Sequence, residues 1–229
     1  MSSSNKLILY SYWRSSCSWR VRAVLEYKKI PYENRPISLA SNEQCSEEFK
    51  KINPACMVPA LLVPSTLPNG NQEILFESLA IIDYLETTYP QPPIYPEAGI
   101  QRTKVISVVE MITSGIQPLQ NMATMIIVKK FTDGSKEKAL EWNQYWISHK
   151  FEQLEKILQS LSGKYTVGDQ FTIADICLVA QVYNAIRFNV SLKQFPTIKQ
   201  LYEQLMANEE AIIKSKPEVQ PDAILNPSE

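Results

Sequence analysis

The chain has 229 residues and is poor in the groups that most enzyme chemistries need. There is a single histidine, His149, with no cysteine or carboxylate at metal-ligand spacing beside it. A serine hydrolase would have to use that histidine, and no G-x-S-x-G elbow is present. His149 lies within an apolar helical pattern and reads as structural. The six glycines are Gly70, Gly99, Gly115, Gly134, Gly163 and Gly168. No set of them has dinucleotide-fingerprint spacing. Gly163 and Gly168 have P-loop spacing, but Asp169-Gln170 follows in place of Lys-Ser/Thr. Nicotinamide and nucleotide cofactors are disfavoured, and no metal is expected.

Charge of one sign is lacking too. Lys plus Arg total 23 and Asp plus Glu total 24, a net charge of −1. Nucleic acid is therefore not an expected partner, and the pairs Lys28-Lys29 and Lys129-Lys130 read as solvated helix ends. No apolar run approaches ~18 residues, so no membrane span is expected. The first residues, Met1 to Lys6, lack an apolar signal core, and the cytoplasm is the expected location. Cys17, Cys45, Cys56 and Cys177 are scattered, unlike a secreted disulfide framework. What is present is an ordinary globular composition, 45% hydrophobic and 21% charged.

Periodicity divides the chain. Residues 6–12 read as a buried strand, followed by the polar turn Arg14-Ser15-Ser16 and a helix from Ser18 to Lys28. A second strand spans Pro31 to Leu39, and a polar helix runs from about Cys45 to Ile52. Ala60–Val63 and Glu73–Phe76 read as a hairpin, with a long turn over 64–71. Ser78 to Thr87 is a helix with Leu79, Ile82 and Leu85 on one stripe. The order βαβ, α, ββα over residues 1–88 predicts a small mixed-sheet α/β domain. Residues 89–96 carry four prolines and read as a linker. Residues 97–229 read as an all-helical second domain. Val105, Val108, Val109, Ile112 and Ile116 share one face; so do Ile147, Phe151, Leu154, Leu158 and Leu161. Thr172-Ile173-Ala174-Asp175 is a capping box. Phe195 opens a last helix to about Ala211, and the tail from Lys216 reads as extended.

Chemistry is concentrated in Arg14-Ser15-Ser16-Cys17-Ser18-Trp19-Arg20. Hydroxyls and a thiol meet the free N–H groups and positive dipole of a helix N-terminus, a setting that stabilises a thiolate. Serines alone could simply cap the helix. A second element is Val58-Pro59 before a strand. A cis proline there would offer the Val58 main chain to an extended peptide, although an ordinary loop fits equally well. A third is Glu77-Ser78, at the start of a helix that could receive a carboxylate or be merely capped.

Together these residues resemble the cytosolic glutathione transferases, and the Ser-Ser-Cys-x-x-Arg and Ile116-Gln117-Pro118-Leu119-Gln120-Asn121 stretches resemble their zeta class. The resemblance also takes in Asn53-Pro54, Ile81-Ile82 and Asn184-Ala185-Ile186-Arg187-Phe188. It implies a thioredoxin-like domain followed by a helical domain, glutathione as cofactor, and a homodimer. The implied activity is glutathione-dependent cis–trans isomerisation of a small maleyl dicarboxylic acid. Maleylacetoacetate, from tyrosine and phenylalanine breakdown, is the family's substrate, with transferase activity on α-haloacids beside it. Ser15 is the residue expected to hold the thiolate, with Ser16 and Cys17 in the same pocket and Ser18, Trp19 and Arg20 adjoining. Gln44, Val58 and Pro59 are expected on the glycyl and cysteinyl parts, and Glu77 and Ser78 on the γ-glutamyl end. Gln117, Asn121, Met122 and Ala123 are expected to add contacts from the helical domain. Arg14, Arg20 and Arg187 are expected to receive substrate carboxylates. Ala123 stands where the family pattern has serine, and the 64–71 and 129–138 segments are longer than usual. Two other readings share these residues: a Cys17-dependent thiol transferase or dehydroascorbate reductase, and a transferase-like domain that only binds.

Overall fold

The computed structural model describes residues 6–64 and 72–224. The residues up to Pro93 join those from Glu210 onward in one compact unit; Ile94–Glu209 form the other. The stretch from 210, assigned by periodicity to the helical domain, thus belongs to the first unit.

In the first unit, β1 (Leu7–Ser11) and β2 (Tyr32–Pro36) are parallel, and β3 (Ala60–Val63) and β4 (Glu73–Phe76) complete a sheet of order β2-β1-β3-β4. β3 pairs antiparallel to both β1 and β4. β1 is buried along its whole length, which is why it reads as a continuous apolar run. Ile8 and Tyr10 pack with Ala60, Leu62 and Phe49, the last from the short helix α2 (Glu47–Lys50). Except for its first residue, the long hairpin turn lies outside the described residues. The helices α1 (Ser16–Tyr27) and α3 (Ser78–Thr88) pack against each other.

Lys28 corrects the expectation of a solvated helix end. Its Nζ is fully buried, pairs with Glu86 at 2.6 Å, and donates to the Tyr89 and Pro92 carbonyls at 2.7 Å each. One ammonium, with all three protons placed, therefore ties the ends of α1 and α3 to the proline-rich segment.

The predicted last helix breaks at Glu209 into α8 (Pro196–Asn208) and α9 (Glu210–Ser215), and α9 packs on α1. Trp19 Nε1 donates to Ser215 Oγ at 2.9 Å. Arg22, fully buried, donates to the Ser215 carbonyl at 3.1 Å, to Ser11 Oγ at 2.8 Å, and to the Tyr12 and Trp13 carbonyls at 3.2 and 2.9 Å. The tail expected to be extended instead forms a 3-10 turn at Pro217–Val219, and Asp222 Oδ2 accepts the Trp13 N–H at 3.0 Å.

In the second unit, α4 (Ile100–Thr113), α5 (Met122–Phe131), α6 (Lys136–Leu161) and α7 (Ile173–Arg187) precede α8. α7 is the core helix, buried on nearly every side, so its sequence is apolar all round. Its capping box is formed: Asp175 accepts the Thr166 and Thr172 N–H groups at 2.7 Å each. His149, read as structural, is on the exposed face of α6, stacked on Tyr145. Among the described residues no helix is long and apolar enough to cross a membrane.

Candidate active site

The Ser-Ser-Cys segment is itself the first turn of α1, two residues earlier than its periodicity suggested. Ser15 is the N-cap in extended backbone geometry. Its Oγ accepts the Ser18 N–H at 3.2 Å, and its carbonyl accepts the Trp19 N–H at 2.9 Å. That leaves the Ser15 hydroxyl proton free to donate. Ser16 and Cys17 occupy the first two helical positions, whose N–H groups have no intrahelical acceptor. Ser15 and Cys17 are half-buried, and Ser16 is buried.

Arg20 is one turn further on and only 3% exposed. Its Nη1 donates to Ser78 Oγ at 3.1 Å and its Nη2 to Cys17 Sγ at 3.4 Å. Its Nε is buried without a partner among the described residues, and none of them places a carboxylate at ion-pair distance. Neither α1 nor α3 has an acidic residue in its first turn. A buried guanidinium thus joins two helix N-termini with no counter-ion in reach among the described residues. Burying a cation unpaired costs several kcal/mol, so the arrangement suits an arriving anion.

The start of α3 is shaped for the same task. Glu77, its N-cap, has φ +67 and ψ 118, a conformation that a residue with a Cβ rarely adopts, and its exposed side chain makes no cap hydrogen bond. Ser78 is buried. Val58-Pro59 is a cis peptide, the geometry that the peptide-docking reading of this segment called for, and Val58 precedes the β3 ladder. Gln44 is buried in a 3-10 turn, Glu43–Cys45; its Nε2 donates to Asn42 at 2.9 Å, and its Oε1 has no partner among the described residues.

Two expected ligand contacts are placed elsewhere. Ser18 is fully buried, with its hydroxyl at the Tyr12 N–H, and Trp19 is 1% exposed against Ser215. Both side chains are core, leaving no surface for a ligand. Arg14 is half-buried beside the Trp13 ring, 5.2 Å from its centroid. In the second unit, Gln117 opens a 3-10 turn, and Asn121 caps α5 by accepting the Ala123 N–H at 3.1 Å. Met122 and Ala123 are exposed there. Arg187, at the end of α7, is exposed and donates to Asn184 at 2.9 Å. Residues 129–138 are the end of α5, a turn and the start of α6.

Buried, unpartnered Arg20 Nε and Gln44 Oε1 and the open N–H groups of two helices are a donor and acceptor set for a peptide carrying carboxylates and a thiol. Residues 9–93 match the glutathione S-transferase N-terminal domain, and residues 119–214 match its C-terminal domain. The chain belongs to the glutathione S-transferase family. This transferase is 46% identical over 223 residues to a probable maleylacetoacetate isomerase 2 of Drosophila melanogaster, covering 96% of this chain and 92% of that one. It is 44% identical to the maleylacetoacetate isomerase of Mus musculus, covering 96% of both. Among solved structures, the transferase resembles the maleylacetoacetate isomerase of Anaeromyxobacter dehalogenans with glutathione in its active site. That match has TM-score 0.85, 35% identity, and coverage of 96% of this chain and 98% of that one. Within the family the transferase falls in the zeta class.

Proposed function

We propose that this chain is a glutathione-dependent isomerase that converts maleylacetoacetate to fumarylacetoacetate in tyrosine and phenylalanine breakdown. Transferase activity on α-haloacids accompanies it. The observation that carries the reading is Ser15, a half-buried N-cap hydroxyl with a free proton, on the same helix start as a buried arginine that has no carboxylate partner among the described residues. Full-length similarity to isomerases of this name supports it. The dimeric state and cytoplasmic location belong to the same proposal and rest on the family resemblance.

Bound glutathione supplies a thiolate that adds reversibly across a cis double bond, allowing rotation before elimination. Ser15 donates to that sulfur, and the N–H groups of Ser16 and Cys17 add to the positive field. A thiol near ~8.5 moved to about 6.5 needs roughly 2.7 kcal/mol of preferential thiolate stabilisation, within reach of a hydroxyl, a helix terminus and a nearby guanidinium. Gln44 and the Val58 main chain hold the glycyl and cysteinyl parts. Ser78 and the start of α3, aided by Arg20, hold the γ-glutamyl carboxylate. Arg14 and Arg187 receive substrate carboxylates, for which a planar fork is suited.

The test follows maleylacetone isomerisation with and without glutathione. Rapid conversion that strictly requires glutathione is expected; conversion without it, or none despite bound glutathione, overturns the reading. A thiol-transferase reading keeps one observation in its favour, the 3.4 Å contact from Arg20 to Cys17 Sγ. Cys17→Ala separates the two, since a serine-dependent isomerase keeps most of its rate and a cysteine-dependent transferase loses it.

Arg20 gives a second prediction. Arg20→Met removes a buried charge that has no counter-ion among the described residues, so the melting temperature is expected to stay level or rise. Glutathione affinity, measured by titration calorimetry, is expected to fall roughly 10–100-fold, the worth of one or two charge-assisted hydrogen bonds. A lower melting temperature with unchanged affinity would make Arg20 structural.

A further inference from the structure

Asp222 stands 209 positions after Trp13, yet its Oδ2 accepts the Trp13 N–H at 3.0 Å. The carbonyl of that same peptide unit, Tyr12 O, receives Arg22 Nη1 at 3.2 Å. One peptide plane is thus gripped at its N–H by a carboxylate and at its C=O by a guanidinium, and a charge-assisted bond at each end fixes its rotation. Tyr12 O also accepts the Ser15 N–H at 3.0 Å, closing the turn that leads into α1. The orientation of the plane therefore reaches Ser15 through a single hydrogen bond. The neighbouring main-chain groups are tied down as well: Tyr12 N–H donates to Ser18 Oγ at 3.5 Å, and Trp13 O accepts Arg22 Nη2 at 2.9 Å. Of these partners, only Asp222 lies outside the first 22 residues. The tail that carries it is pinned at both ends. Ser215 accepts Trp19 Nε1 at 2.9 Å and, through its carbonyl, Arg22 Nε at 3.1 Å. Ala223 N–H returns to Gln220 O at 3.0 Å, and its side chain packs on the core cluster that contains Tyr12, Trp13 and Val58. Asp222 is half-buried between these anchors, and its Oδ1 is buried with no partner among the described residues. A buried, unsatisfied carboxylate oxygen is costly, so tail packing alone does not account for an acid here. Its one hydrogen bond among the described residues goes to the turn before Ser15.

We propose that Asp222 is a positioning residue for the glutathione site: through the Tyr12–Trp13 peptide it sets the direction from which the Ser15 hydroxyl meets the sulfur. Without the carboxylate, the Trp13 N–H loses its acceptor and the peptide plane is free to turn about its Arg22 contact. Ser15 follows, because its N–H is bonded to the Tyr12 carbonyl of that plane. A donor that is slightly misplaced stabilises the reacting anion less, and rate is lost with little change in binding. The tripeptide is held chiefly by Gln44, the Val58 main chain, Ser78 and Arg20, none of which bonds to this turn. Asp222 therefore acts on the state of the bound thiol and not on whether glutathione binds. The role rests on the proposed assignment of Ser15 to the sulfur.

The test compares Asp222→Ala, Asp222→Asn and Ser215→Ala with the unaltered full chain. Bound glutathione is titrated by the ultraviolet absorbance of its thiolate, and maleylacetone isomerisation gives kcat and the KM for glutathione. Asp222→Ala is expected to raise the pKa of bound glutathione by about 0.5–1 and to lower kcat roughly three- to tenfold at neutral pH, with KM for glutathione within about twofold. Asp222→Asn keeps an acceptor oxygen and is expected to recover most of both. Asp222→Leu, which preserves apolar packing of the tail, is expected to match Asp222→Ala and carries the test if the smaller variant does not fold. Ser215→Ala removes the Trp19 acceptor instead; it is expected to lower the melting temperature and leave the thiol titration and kcat unchanged. An unshifted titration without the carboxylate, an Asp222→Asn variant as impaired as Asp222→Ala, or an equal shift in Ser215→Ala each overturns the proposal, the last because lost stability alone would then explain the effect. Unaltered protein that binds glutathione without isomerising maleylacetone refutes the proposed function instead, and the thiolate titration still decides the role of Asp222.

Discussion

Replacing Ser15 with alanine is expected to lower kcat/KM for glutathione-dependent isomerisation by roughly 10²–10³-fold at neutral pH, the cost of deleting one donor to a reacting anion. The hydroxyl serves two partners. It accepts the Ser18 N–H, which caps α1, and it donates to the bound thiol. Losing the cap costs about 1 kcal/mol of stability and leaves the protein folded. Losing the donor returns the bound thiol toward its ordinary value near ~8.5, so less thiolate is present at pH 7. The fold deficit of Ser15→Ala is therefore greatest below about pH 6 and shrinks steadily toward pH 9. Ser15→Thr keeps both the cap and the donor and is expected to recover much of the rate. A deficit that does not change with pH would mean that Ser15 acts only as a cap.

Asp175→Ala is expected to destabilise the fold by about 3–5 kcal/mol at pH 5, because two buried N–H groups lose their acceptor and the capping box of the core helix is dismantled. The size of the effect depends on pH. Burial raises the Asp175 carboxyl to about 6 from 3.8, outweighing the hydrogen bonds from Thr166 and Thr172 that favour its ionised form. Below pH 4 both the folded and the unfolded chain hold the proton. Between about pH 4 and 6 the unfolded chain releases it first, so the contribution of Asp175 to stability falls as pH rises, and it levels off above about pH 6. A shift of about two units corresponds to on the order of 3 kcal/mol. Urea unfolding of both proteins from pH 4 to 7 is expected to show the gap between them narrowing. A gap that widens toward neutral pH would mean that Asp175 is ionised throughout.

Local pattern revealed what local forces decide. β1 is legible because both its faces are covered, the hairpin because its strands are bounded by turn residues, and α7 because Thr172 and Asp175 spell out its cap. The Ser-Ser-Cys turn was visible as chemistry, but the helix start was not, because nothing in the spacing reveals that Ser15 Oγ takes the Ser18 N–H. Trp19 lies inside a motif that reads as a ligand site and is nonetheless core, because its partner, Ser215, is 196 positions away. Lys28 looks like a surface residue until the Tyr89 and Pro92 carbonyls fold over it. Periodicity reports which face of an element is buried, but not which distant residue covers it.

The return of α9 and Asp222 to the first unit has a consequence for how the protein is made. Arg22 lacks its Ser215 acceptor, and Trp13 its Asp222 cap, until those distal residues exist. During synthesis the chain must therefore carry an unfinished glutathione half-site while the whole intervening helical unit emerges. Domains usually complete in order from the N-terminus. Here the first unit begun is among the last closed, and a ribosome stalled within α8 would hold a chain with its helical unit largely made and its glutathione unit still open.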